Sequence, residues 1–261
     1  MNMKRYITYC IILIATTLSA FAMPVSTNRA DSLYMCNEYH LAIKTYEDAI
    51  TKYGASSDMY YNLGNAYYKA DNLGKAILNY ERALKLDAGH DDAKYNLSFV
   101  KNKIVDKLPD NRNFITRVFD SVIYSISSNA WAYLSLVILV LLLVSIASYI
   151  YFERVYIRKI GFFGSIVLLV VLFGTISCSI VSAMHSCSNK DAIVLDEAVM
   201  LSTSPREPLS RAEEAILLHE GAKVEIIDSI QMPNDSICRL WYEVKVNNDR
   251  AWIKSLAVEK I

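Results

Sequence analysis

The chain has 261 residues, with 27 basic and 27 acidic side chains and a hydrophobic fraction of 53%. Residues 23–130 hold 13 basic and 13 acidic side chains and residues 184–261 hold 9 and 13, so neither part has the basic surplus of a nucleic-acid binder. Two apolar runs, 131–152 and 160–183, carry no formally charged side chain, and a chain already divided by polar segments has no soluble core large enough to hide both.

Lys4 and Arg5 precede an apolar run over residues 7–18, and Ala20-Phe21-Ala22 has the small-x-small form of a signal-peptidase site. Residues 1–22 therefore read as a signal peptide cut after Ala22; uncut, they form a first anchor with the same topology. The absence of cysteine at that cut argues against a lipoprotein.

Residues 23–108 read as closely spaced helices. Tyr60, Leu63, Gly64 and Tyr67 recur at three and four residues on one helical face, residues 71–74 form a turn, and Ala76, Tyr80 and Ala83 line a second helix. A shift of 34 residues places Ala42, Tyr46 and Ala49 on Ala76, Tyr80 and Ala83, and Ala30 on Gly64. This period, with Leu63-Gly64, Tyr67, Ala76, Tyr80 and Ala83, resembles the tetratricopeptide repeat. The first copy departs from it at Arg29 and Leu33, and the third has only its first helix, ending in an amphipathic run (94–108) suited to cap the stack. Asp58, Tyr61, Asn65, Tyr68 and Lys69, with Asn96 and Lys103 from the next helix, are the candidate peptide-binding set on a concave face. Ordinary solvated helix surface or self-packing is the alternative.

Residues 109–130 carry a one-sided apolar pattern through Phe114, Val118, Phe119 and Val122 and read as an amphipathic linker helix. It lies either on the membrane–water boundary or against the repeats. The two apolar runs exceed the roughly 20 residues needed to cross a bilayer and read as a transmembrane hairpin joined by 153–159. That loop holds Arg154, Arg158 and Lys159 against Glu153, so it is expected to be cytoplasmic and both polar flanks periplasmic. The chain thus reads as a multi-pass protein of a bacterial inner membrane, with the lipid bilayer as its first partner. Gly161, Gly164, Ser165, Gly174 and Cys178 permit close helix contact, and neither span holds the ionisable groups of a coupled carrier.

From Asp191 short β-favouring stretches follow, within 184–261. Val199-Met200-Leu201, Ser204-Pro205, Gly221-Ala222-Lys223-Val224, Trp241-Tyr242-Glu243-Val244 and Ala251-Trp252-Ile253 resemble a bacterial SH3-like domain, which implies a small closed β-barrel. Ala251 departs from the glycine common before the last tryptophan. Val224, Ile226, Trp241, Val244, Trp252 and Ile253 are candidate core positions, and 212–218 could be a helical insertion. Trp241 and Trp252 are also candidates for an exposed aromatic surface, with a cell-wall ligand such as peptidoglycan as the possible partner.

His40, His90, His185 and His219 stand apart, and no HExxH, G-x-S-x-G or phosphate-binding glycine loop occurs. No catalytic residue, cofactor or metal site is expected. Cys36, Cys178, Cys187 and Cys238 lack metal spacing; they read as unpaired small hydrophobes, with a Cys187–Cys238 bridge as the alternative.

The fold class expected is therefore a multidomain membrane protein: a helical tetratricopeptide array, a transmembrane helical hairpin and a C-terminal SH3-like barrel. This order of modules resembles the BatE family of Bacteroides aerotolerance membrane proteins. The resemblance implies protein partners among other Bat membrane proteins, including those with von Willebrand A-type domains. It also implies a scaffold role in envelope maintenance or oxidative-stress tolerance.

Overall fold

The computed structural model describes residues 28–106, 113–188, 190–208, 210–211, 213–232, 240–247 and 249–261. The expected signal peptide, the break at 108–110 and Cys238 lie outside them.

Helices α1 (Asn28–Met35), α2 (Tyr39–Tyr53), α3 (Ser57–Lys69), α4 (Leu73–Leu86) and α5 (Asp91–Lys101) form the repeat array. The 34-residue period reaches the backbone and the hydrogen bonds. Asn37 and Asp71 both turn the chain in the left-handed region, at φ 65° and 61°. Tyr46 donates to Asp31 Oδ1 at 2.5 Å, and Tyr80 donates to Asn65 Oδ1 at 2.7 Å. Ser56 and His90 cap α3 and α5 by accepting from Met59 N and Ala93 N. Ala42, Ala76 and Ala83 are buried, because small side chains at these positions let neighbouring helices close.

Helix α6 (Phe114–Ile123) buries none of its residues. It meets the hairpin where Trp131 Nε1 donates to Ile123 O at 3.0 Å and Tyr124 stacks on His185. The two apolar runs form α7 (Ser128–Tyr151) and α8 (Val155–Cys187), with only residues 152–154 outside helix between them. Both are long and apolar enough to cross a membrane. They approach closely at Gly161, where a Cβ would lie 2.9 Å from Ser145 O and Tyr149 N, and Ser145 Oγ donates to Gly161 O. Gly164 also faces Ser145, whereas Gly174 has nothing within 4 Å.

The C-terminal part is not the expected SH3-like barrel. Strands β1 (Asp191–Val194), β2 (Ala198–Ser202), β3 (Glu214–His219), β4 (Lys223–Gln231), β5 (Leu240–Val246), β6 (Asp249–Lys254) and β7 (Val258–Lys260) form one open antiparallel sheet. Its order is β3-β2-β6-β5-β4-β1-β7, so closure would require β3 to pair with β7. The β7 end is instead engaged by the repeats. Arg82 donates to Lys260 O at 2.6 Å and pairs with Glu259 at 2.9 Å, and Lys85 donates to Ile261 O at 2.8 Å. The segment expected as a helical insertion is largely strand β3, held by pairing of Val199 with Leu218 and Met200 with Leu217; Ala212 lies outside the described residues. Val224, Ile226, Trp241, Val244 and Ile253 are buried, while Trp252 is half-buried.

Sheet and repeats share more than an edge. Ile193 is fully buried in the same apolar cluster as Tyr46, Leu63 and Ile77. Gly221, at φ +82°, lies against Ile77 and Ile104, and a Cβ there would come within 2.8 Å of both. Glu81 is paired with Lys101 at 2.6 Å and Lys223 at 3.2 Å, and Lys223 also meets Asp191 at 3.0 Å. Asp106 accepts from the His219 amide at 2.5 Å. The sheet thus packs on α4 and on the segment that follows α5.

Candidate interaction surface

Helices α1, α3 and α5 are the first helices of successive repeats, and six of the seven candidate residues converge between α3 and α5. Asn65 Oδ1 accepts from Tyr80 and, at 2.9 Å, from Asn96 Nδ2, which also reaches the Tyr61 hydroxyl at 3.4 Å. Lys103 Nζ donates to the Tyr68 hydroxyl at 2.5 Å and lies 4.8 Å above both the Tyr68 and Phe99 rings. Asp58 Oδ1 is 3.3 Å from His90 Nε2. Lys69 is exposed at the end of α3.

Much of this set is spent on holding the array together. Asn65 and Asn96 bridge three helices, and an amide that bridges neighbours contributes to packing before it contributes to recognition. Burial pushes the Tyr46, Tyr67 and Tyr80 phenols above their ordinary range, so they act as neutral donors at physiological pH. Tyr67 donates to Glu47.

Three further residues belong to the surface. His90 accepts the Ala93 amide at Nδ1, which places the proton of the neutral ring on Nε2, facing Asp58; its ring also lies 4.8 Å from that of Tyr61. Tyr95 is 71% exposed and Phe99 is 46% exposed. Their 34-residue equivalents are Tyr61 and Asn65, so shifting the proposed set forward by one period would have found both. His90 is similarly the equivalent of Ser56, the cap of α3.

The tryptophans form no exposed plate. Trp241 is 3% exposed, with Lys254 Nζ 5.8 Å from its ring centroid, and Trp252 is half-buried. Among the described residues no three His, Cys, Asp or Glu side chains are grouped to hold a metal ion.

This geometry defines an array of paired helices in repeat. The tetratricopeptide repeat model matches residues 57–90, which covers α3 and α4 with the turn between them. No curated protein matches the chain. The resemblance to BatE-type aerotolerance proteins does not survive, because the SH3-like barrel that completed it is an open sheet. The repeat array is consistent with a protein–protein interaction module.

Proposed function

We propose that the chain is a membrane-anchored scaffold whose repeat array recruits a protein partner on the outer side of a bacterial inner membrane. The observation that carries this reading is the division of the array's surface. The side of α4 is taken up by the sheet through Glu81, Arg82 and Lys85, while Tyr95, Phe99 and Lys69 stay open to solvent along the first helices. Exposed aromatic rings suit an extended peptide, because rings bury area at little entropic cost. Contact between the sheet and the repeats requires both flanks to share a compartment, and a two-span hairpin satisfies that. The basic residues at 154, 158 and 159 favour the cytoplasmic side for its turn.

The test is site-specific photo-crosslinking in native membranes, with the probe at position 95 and, as control, at exposed Lys44 on α2. A discrete adduct from position 95, lost in a Lys69→Glu, Phe99→Ala variant of unchanged membrane level, is expected. The same adducts from both positions, insensitive to that variant, would remove the surface from consideration. Asn65 and Tyr68 are poor choices for such a variant because they support Tyr80 and Lys103.

A further inference from the structure

Helix α8 has 33 residues, about 50 Å at 1.5 Å per residue, against a hydrocarbon core of about 30 Å. If the apolar run 160–183 fills that core, its last turn and the start of α7 emerge together into the headgroup layer. A cavity of about 610 Å³ opens at that level, where the hairpin, the repeats and the sheet meet. Its membrane side is lined by Ser127, Ser128 and Asn129 from the start of α7 and by His185 and Ser186 from the end of α8. Lys85, Lys94, Lys190 and Lys223 also line it.

The four lysines differ in what they already hold. Lys223 is committed to Glu81 and Asp191, and Lys85 donates to Ser188 O at 2.6 Å and to Ile261 O. These two fix the walls. Lys190 is anchored by its backbone, whose carbonyl accepts from Ile226 N at 2.6 Å, and its residue is exposed. Lys94 meets Asp91 at 3.2 Å, but that carboxylate is 91% exposed, so solvent screens the pair. The lining also contains three carboxylates, Glu81, Asp191 and Glu225, which leaves the cavity mixed in charge.

We infer that this cavity binds the phosphate of a phospholipid headgroup, with Lys94 and Lys190 as the cations and the Ser127 and Ser128 hydroxyls at the start of α7 as neutral donors. A lipid fits better than free phosphate because the cavity lies at the depth of the headgroups. Exposed Phe114, Ile115 and Phe119 of α6 precede the hairpin and suit the acyl boundary below them. The inference rests on α7 and α8 spanning the membrane.

The full-length protein in detergent is incubated with phosphatidylglycerol, and retained lipid is read by native mass spectrometry. Wild type and a Lys94→Arg, Lys190→Arg variant are expected to retain one lipid. Lys94→Glu, Lys190→Glu should lower the retained fraction roughly tenfold or more. Lys44→Glu, Lys52→Glu, the same charge change at exposed positions of α2, should leave retention unchanged. Equal retention in wild type and the cavity-reversed variant overturns the inference, as does displacement of the lipid by inorganic phosphate. Carbonate extraction of the same membranes separates the two levels. Release of wild type from the membrane would remove the spanning reading itself, whereas retained protein with charge-insensitive lipid binding removes only the headgroup site.

Discussion

At the residue scale, the tightest glycine in the repeats is Gly64. A Cβ built there would lie 2.8 Å from two ring atoms of Tyr80 and 3.3 Å from Ala76 O. The Tyr80 ring has no free end to swing away, because it is buried and its hydroxyl is tied to Asn65. Gly64→Leu should therefore destabilise the protein by roughly 1–3 kcal/mol through overpacking. Gly64→Ala should be milder, since the helix-propensity gain of about 1 kcal/mol offsets part of the clash. Urea unfolding of the full-length protein in detergent measures both, and equal midpoints for wild type and the leucine variant would rule out the contact. The full chain is the right sample because Ile193 of the sheet completes this core.

At the element scale, each segment's composition explains its surroundings. Helices α7 and α8 are apolar on all sides and mostly unburied within the protein, so their outer faces require lipid or a partner. Helix α6 is apolar on one side only, and Phe114, Ile115, Phe119 and Val122 remain exposed rather than packed on the repeats. Cys36 is exposed at the end of the first repeat's opening helix and serves as a natural reporter of topology. In a variant whose other cysteines are replaced, an impermeant thiol reagent should label Cys36 in intact spheroplasts. A cysteine introduced at Tyr156 should be labelled only after the membrane is opened. The reverse pattern would invert the arrangement.

At the scale of the whole molecule, the repeats and the sheet are coupled through Glu81. Burial alone would push its carboxyl up, but the Lys223 and Lys101 ammoniums bring it down to about 2. Its folded value is thus below the ordinary carboxylate value, so the stabilisation is fully present above about pH 5. It is lost as pH falls from the ordinary value toward about 2. Lys223 is shifted the opposite way: burial lowers its value, and Glu81 with Asp191 more than reverses that. Glu81→Gln should cost roughly 2–3 kcal/mol at pH 7, by leaving two ammoniums without their shared carboxylate. The difference from wild type should shrink as pH approaches 3. Urea midpoints across pH for both proteins give the comparison; a pH-independent difference would show that the ion pair is not its origin.

The sequence by itself determined what is periodic or continuous along the chain. A 34-residue recurrence of alanine, tyrosine and glycine specifies helix pairs because those contacts are made by near neighbours, and the structure repeats it down to the turns at Asn37 and Asp71. Two long uncharged runs specify the hairpin because hydropathy is a local property. Most β-strand positions were also legible from β-favouring residues, although residues 214–219 were not. Only the tertiary structure decided whether the strands close. Closure depends on whether β3 meets β7, and Arg82 and Lys85, well over a hundred residues earlier in the chain, engage the β7 end through Glu259, Lys260 and Ile261. The same long-range docking buries Ile193 in the repeat core and draws Glu81 toward Lys223. Neither contact leaves a mark in local spacing, because each partner is set by the fold of a different domain.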